Sequence, residues 1–420
     1  MMQPFHAFYR SNRLWTSLAC VGLCAWLVGL PGRARSEALT LDSCVVRALV
    51  HNPGLRVADQ DIKAARARIG QAGAFEAPSL SYEAGKLGTP VSRDEHETSV
   101  RLSQELGAPG ARGRAKTVAR TELAIAEATR ASLALKLRGD ATRAYRRLQA
   151  DALSLLRLES LRRTAVDFEQ MVSARLRTGG ARYLDVLRAR SERARIENDA
   201  VEGLRALQED RRTLNTLMAR GTEEPLEPAD SLVYVPLADS LQSLLTTAMA
   251  NRPRLRAAQL EVERGESQVG LARSGRMPSA SISAGLDRVP GSESPGIGGE
   301  ISFTLPFAPW TDRRSRITEA HATSSGARAR LETTQREVDL AVRNAYEAAR
   351  SAEQQVQRFN RVLLADAADA IRTATQNYQT GQIDGLELFE TLRTFRSIEL
   401  EYIRALLNYE LALTDLSVAE

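Results

Sequence analysis

The chain has little of what most enzymes and secreted domains are built from. It holds three cysteines in 420 residues, and Cys20 and Cys24 lie in a segment that export would remove. Cys44 then stands alone, which excludes an internal disulfide and a cysteine-based metal site. His51, His96 and His321 are far apart in the remaining chain and lack paired-ligand spacing, and Met171, Met218, Met249 and Met277 do not cluster. Aromatic residues reach only 5%, too few for a compact aromatic core. The sequence has no phosphate-cradling loop, no nucleophile elbow and no paired acids in a cleft-like setting. No catalytic residue, resident metal or cofactor is expected, and the chain is expected not to be an enzyme.

What is abundant is Ala, Leu and Arg, with charged residues at 26%. That mixture suits long helices with small-residue seams. Lys63, Lys86, Lys116 and Lys136 are the only lysines among 57 basic residues. Residues 1–36 read as a secretory signal peptide: Arg10 and Arg13 supply the basic start, Leu14 to Leu30 is mostly apolar, and Ala34-Arg35-Ser36 is the cleavage pattern. The apolar run is slightly short for a membrane span. Ser17 stands where a lipidation signal wants an apolar residue before Cys20, so lipidation is not expected. Cleavage takes four arginines and no acid, and the net charge falls from +5 to +1. A near-neutral chain with interspersed signs has no footprint for nucleic acid.

The sequence also matches itself. At an offset of 200, Pro53, Leu55 and Arg56 face Pro253, Leu255 and Arg256, and Pro78, Ser81 and Gly85 face Pro278, Ser281 and Gly285. The offset becomes 201 at Ala144-Tyr145 and Ala345-Tyr346, and 202 at Thr178-Gly179 and Thr380-Gly381. Such gradual drift predicts a duplication with small insertions: a first repeat over 37–219, a Pro/Glu-rich linker over 220–238 and a second repeat over 239–420.

Each repeat has one internal order. A helix breaks at Asn52-Pro53, or at Arg252-Pro253, and resumes to about Ala74 or Ser274. Alternating apolar and polar residues then predict strands over 79–86, 98–106, 280–287 and 300–306, with polar hairpin loops at 88–97 and 288–297. His96 falls in the first of these loops and His321 at a helix beginning. Next come 67 residues without proline (Ala111 to Arg177) and 69 in the second repeat (Thr311 to Gln379). At 1.5 Å per residue each would reach ~100 Å as a helix. A coiled-coil frame places Leu137, Ala144, Asp151, Leu158, Ala165 and Val172 on one seam row. Ala141, Leu148, Leu155, Arg162, Glu169 and Leu176 fill the other. Glycine turns at 177–180 and 379–382 end these helices, and a shorter helix runs back.

Two amphipathic strands per repeat give four per chain, too few to close a membrane barrel, whose smallest form has about eight. Open edges are not tolerated in lipid, so several chains would have to share one barrel. This organisation resembles the TolC-like outer-membrane efflux proteins, from Leu39 to about Leu413. The match is most specific at the strand-to-helix junctions (Leu102-Ser103-Gln104-Glu105-Leu106 through Gly113-Arg114, and Phe303 through Ala320) and at the helical tips. The Gln104-Glu105-Leu106 … Arg112 … Arg114 junction is similar to the heavy-metal branch typified by CzcC.

The resemblance implies a mainly α chain with a β-barrel portion, localised to the outer membrane with a long periplasmic extension. Three copies would form a 12-strand β-barrel joined to a 12-helix α-barrel. The partners implied are a periplasmic adaptor, an inner-membrane efflux pump and outer-membrane lipid. Glu387 and Glu390 match acids of the periplasmic aperture, and Asp185 and Tyr378 match residues that help hold it closed. Ile383 departs from the family, which has an arginine there to pair with the acid of the first repeat. Gly179, Gly180 and Gly381 match the adaptor-contacting tips, and Val100, Leu102, Ile301, Phe303 and Leu305 would face lipid. Two rival classes differ in layout. An adaptor would show one hairpin flanked by lipoyl-like β segments, and a secreted coiled-coil scaffold would need no amphipathic strands.

Overall fold

The computed structural model describes residues 37–86, 96–288, 294–305 and 310–419. The export segment 1–36, the centres of both hairpin loops and residues 306–309 of the second junction lie outside these residues. The first half runs β1 (Glu37–Leu39), α1 (Leu41–His51), α2 (Pro53–Gly73), β2 (Ser79–Lys86), β3 (His96–Gly107), α3 (Ala111–Arg177), α4 (Tyr183–Leu217) and β4 (Leu226–Pro228). The second runs α5 (Leu241–Asn251), α6 (Pro253–Ser274), β5 (Ser279–Arg288), β6 (Gly296–Thr304), α7 (Trp310–Arg358), a π-helical turn (Phe359–Leu363), α8 (Leu364–Thr380) and α9 (Gly385–Ala419).

The proline breaks are built, not merely tolerated. Asn52 closes α1 and opens α2, its side-chain oxygen accepting from the Gly54 N–H at 2.8 Å. Its amide nitrogen donates to the Leu217 carbonyl at 3.0 Å, at the end of α4. Arg252 does the corresponding job in the second half, donating to the Ala419 carbonyl at 2.7 Å, at the end of α9. Thr40 and Ser240 cap α1 and α5 through their hydroxyls.

β2, β3, β5 and β6 form one antiparallel sheet in the order β2-β3-β5-β6, so the two hairpins join through β3 and β5. Register sorts most side chains by face, with Gln104, Thr98 and Arg288 among the polar exceptions on the apolar side. Leu80 faces Leu102, Tyr82 faces Val100, Leu102 faces Ala284, Val100 faces Leu286, and Ile282 faces Ile301. Directly opposed residues share a face, so the apolar residues form one continuous surface. Ser81, Ser99, Arg101, Ser103, Ser281, Ser283, Glu300 and Ser302 share the other face. Nothing among the described residues covers the apolar face: Leu80, Leu102 and Phe303 are 72%, 51% and 63% exposed. The outer edges, β2 and β6, have no strand partner among the described residues.

β6 begins four residues earlier than alternation alone predicts, because Ile297 pairs with Leu286 and the intervening glycines continue the ladder. It ends at Thr304, which leaves Leu305 just beyond the strand. His96 likewise belongs to β3 and not to a loop, since it pairs with Lys86.

α3 is one unbroken helix of 67 residues. Its counterpart is interrupted by the π-helical turn at Phe359–Leu363. One extra residue enters between the 201 and 202 offsets, and a π turn, which holds an extra residue per turn, absorbs it without breaking the helix. The coiled-coil frame also needs correction. Beyond Leu155 the buried row is Leu158, Leu161, Ala165, Phe168 and Val172. The row of Leu158, Ala165 and Val172 keeps its predicted place, while the other row has moved by one residue to Leu161 and Phe168, so Arg162 and Glu169 flank the seam instead of filling it. Glu169 is bound by Arg190 and Arg193 at 3.1 and 2.9 Å.

The core is four apolar clusters strung along the helices. The segment after α4 is a strap across them. β4 pairs in parallel with β1, and Asp230 accepts from the Leu41 N–H and the Tyr145 hydroxyl, each at 3.1 Å. Further along, Tyr234 donates to Glu353 at 3.1 Å and the Val235 carbonyl accepts from Tyr409 at 2.7 Å. The linker expected at 220–238 is thus fastened to both halves. No described helix is long and apolar enough to cross a membrane.

Candidate functional site

The chain's distinctive chemistry lies at the two ends of α3: the amphipathic sheet, and the turns joining α3 to α4 and α8 to α9. At the sheet end, Gln104 donates from its amide to the Glu76 carbonyl at 2.7 Å. The Arg112 guanidinium lies 3.4 Å from the centre of the Phe75 ring. These contacts bind the end of α2 to the strand-to-helix junction.

The turns are closed by the same backbone device. Gly179 takes a left-handed φ of 76° and Gly381 one of 82°, a conformation that costs any residue with a Cβ. After α3, the Gly179 N–H donates to the Leu176 carbonyl at 3.1 Å and the Gly180 N–H to Arg175 at 2.8 Å. After α8, the Gly381 N–H donates to Tyr378 at 3.1 Å and the Gln382 N–H to Asn377 at 2.8 Å. Both turns satisfy the last carbonyls of a helix by this crossed pair.

The turns also meet each other. Arg175 on α3 donates to the Tyr378 carbonyl on α8, and its guanidinium carbon sits 4.8 Å from the Tyr378 ring centre. Arg182 and Asp384, which correspond at the 202 offset, pair at 3.7 Å. Asp185 is buried in the first turn of α4, where it accepts from the Arg182 N–H at 3.1 Å. Its side chain lies against Gly385, and a Cβ there would come within 3.2 Å. Arg188 and Arg182 supply its cationic neighbours at 3.6 and 3.8 Å. Ile383 packs instead against the apolar cluster behind the turns. Burial pushes the Tyr378 hydroxyl above its usual pKa; Arg175 opposes this, and the Asp185 and Asp384 carboxylates add to it.

Asp185 and Tyr378 line one hollow between the two turns. Glu387 and Glu390 do not join them; both are exposed on the first turns of α9. Glu390 is bound by Arg393 at 2.7 Å, whereas Glu387 has no ion pair among the described residues. Sequence reasoning missed the group behind them. Glu192 on α4 is 1% exposed and is held by Arg393 at 2.9 Å and Arg396 at 3.1 Å, both from α9. The signal was present: Val186, Ala189, Glu192 and Ile196 follow helical spacing, which puts an acid in a buried seam. No cluster of His, Cys, Asp or Glu among the described residues could hold a metal ion.

Long paired helices carrying a four-stranded sheet with one uncovered apolar face are the architecture of this chain. The chain belongs to the outer membrane efflux protein family, whose model matches residues 44–220 and 244–419. It is 29% identical to Protein CyaE of Bordetella pertussis over 350 residues, covering 77% of this chain and 71% of that protein. It is 25% identical to the nickel and cobalt resistance protein CnrC of Cupriavidus metallidurans over 340 residues, 77% of each. With the cobalt-zinc-cadmium resistance protein CzcC of the same organism it shares 25% over 242 residues, and the match spans 56% of each. Among solved structures, CusC superposes with a TM-score of 0.78 at 18% identity, over 92% of this chain and 93% of that one. VceC from Vibrio cholerae superposes with 0.77 at 18%, over 90% and 96%. The fold is that of the TolC-like channels, mainly helical. The family consists of channel proteins, and it locates this chain in the outer membrane with its helices extending into the periplasm.

Proposed function

We propose that the chain is the outer-membrane conduit of a tripartite efflux system. Three copies close a 12-strand barrel and a 12-helix tunnel. Cargo delivered by an inner-membrane pump through a periplasmic adaptor passes through it passively. The observation that carries this reading is the sheet: its apolar face is uncovered, its other face is rich in serine, and both edges are open. Four strands in this state satisfy neither water nor lipid until further copies close the ring. In the closed ring Val100, Leu102, Ile301, Phe303 and Leu305 face lipid, and the serine face lines the pore.

The tips at Gly179, Gly180 and Gly381 are the surface offered to the adaptor. The aperture is formed by Glu387 and Glu390, with Asp185 and Tyr378 behind them. CzcC and CnrC, named for resistance to metals, support divalent metal cations as the cargo class, and a carboxylate ring favours cations. A tunnel of this kind needs no ligating side chains.

Extraction of the outer membrane in mild detergent, followed by mass determination corrected for bound detergent, tests the assembly. A mass of three chains that yields ion conductance in planar bilayers is the expected result. A soluble periplasmic monomer overturns it.

A further inference from the structure

The helices, like the strands, form a layer with two open edges. α3 packs on α4 at one side and on α9 at the other, and α9 in turn packs on α7, the π-helical turn and α8. The order α4–α3–α9–α8 leaves α4 at one margin and the π turn with α8 at the other.

Each margin carries an uncovered apolar pair. On α4 these are Val201 and Leu204, 70% and 48% exposed; in the π turn they are Val362 and Leu363, 55% and 40% exposed. Ser160, the match of Val362 at the 202 offset, is exposed as well, so the contrast between the halves lies at Leu363. Leu161, the match of Leu363 at the 202 offset, is 4% exposed in the uninterrupted α3 and packs inside its own hairpin.

The pairs also lie level. Val201 is eighteen residues after the start of α4 at Tyr183, and Val362 is eighteen before the end of α8 at Thr380. At 1.5 Å per residue each stands ~27 Å above the tips. Asp199 and Glu202 flank Val201 and are already bound within the chain, by Arg396 at 3.5 Å and by Arg205 at 2.6 Å, whereas Arg358, which has no ion pair among the described residues, lines a shallow hollow with Val362 and Leu363.

We propose that the π-helical turn is a subunit contact: Val362 and Leu363, with Arg358 beside them, seat against Val201 and Leu204 on the α4 margin of a second copy of this chain. The inference rests on the shared-barrel reading and names where the helical parts of neighbouring copies lock. The two margins, α4 on one side and the π turn with α8 on the other, are different surfaces, so that copies join head to tail in a closing ring.

Cysteine pairs test it in the full-length protein extracted in mild detergent. Cys44 is fully buried and leaves the background clean. Val201→Cys with Val362→Cys, and Leu204→Cys with Val362→Cys, should yield covalent dimers and trimers on oxidation, in at least one pair. Leu156→Cys with Val362→Cys is the control. Leu156 stands within one turn of that height and is 67% exposed, but it lies on α3, inside the layer; this pair should stay uncrosslinked. A detergent-corrected mass of three chains without crosslinks in either test pair overturns the contact and leaves the conduit standing. A monomeric mass overturns both. Leu363→Glu gives a second readout: a several-fold loss of trimer with helical circular dichroism unchanged. Full trimer yield in Leu363→Glu would count against the contact.

Discussion

At the residue scale, partners decide which charges act. Glu387 and Glu390 sit on the same turns of α9, yet Arg393 at 2.7 Å offsets Glu390 while Glu387 has no such partner among the described residues. Glu387→Ala should therefore lower cation selectivity in a planar bilayer more than Glu390→Ala does. Equal effects, or none across a range of salt, would remove the aperture assignment. A second pair of acids sits in the seam between α3 and α4. Asp210 has a pKa pushed up to about 7, first by burial and then by the neighbouring Asp151 carboxylate, against the pull of Arg147. Burial raises Asp151 as well. In the unfolded chain both ionise near pH ~4. Between about pH 4 and 7 the folded form holds more protons than the unfolded form. Stability must then fall as pH rises through that window and stay reduced above it. Asp210→Asn removes this cost, so its melting temperature should exceed that of the parent at pH 8 and approach it at pH 5. Parallel melting curves at both pH values would refute a shared proton.

At the scale of elements, the proline breaks, the long helices, the strands and the glycine turns were all legible, because each is set by local chemistry: a missing N–H, an alternation, a residue free to take positive φ. What was not legible depends on neighbours far along the chain. The coiled-coil phase shift after Leu155 follows from what α4 and α9 present to α3. The burial of Glu192 becomes meaningful only when Arg393 and Arg396 are found opposite it. The π turn was half-visible, as a one-residue drift in offset with no sign of where the extra residue goes. Of the candidate site, Asp185 and Tyr378 were named from the resemblance, but not Arg175, whose partner is a backbone carbonyl. The glycine tips separate two roles that the sequence merges. Gly179 and Gly381 have positive φ, while Gly180 does not. A Cβ at Gly180 would meet the flexible Arg175 side chain at 3.3 Å. Gly381→Val should cost about 1–2 kcal/mol in the last turn of α8 and speed its hydrogen exchange. Gly180→Ala should leave exchange there unchanged. Similar exchange in the two variants would contradict the role given to the left-handed turn.

At the scale of the molecule, a chain that is helical over most of its length depends on a sheet too small to stand alone. The sheet's two faces differ by one residue of register along every strand, so the membrane reading can be tested by a one-residue displacement. Leu102 lies midway along β3, flanked by Leu80 and Ala284 on the apolar face, and Ser103 follows it on the face that carries Arg101 and Glu300. An arginine at the lipid-facing centre of a barrel strand costs about 2–4 kcal/mol per copy, and near nothing in a polar lumen. Leu102→Arg should therefore deplete the protein from the outer-membrane fraction, its helices still formed by circular dichroism in detergent. Ser103→Arg should assemble normally and shift only the conductance. The contrast also separates the membrane reading from a soluble sheet packed against an unknown protein partner. Such a partner would be lost with Leu102→Arg in a fraction that never held lipid, whereas a barrel subunit loses its place in the membrane. Retention of both variants in the outer membrane would mean that the apolar row does not face lipid, and the four strands would need a different closure.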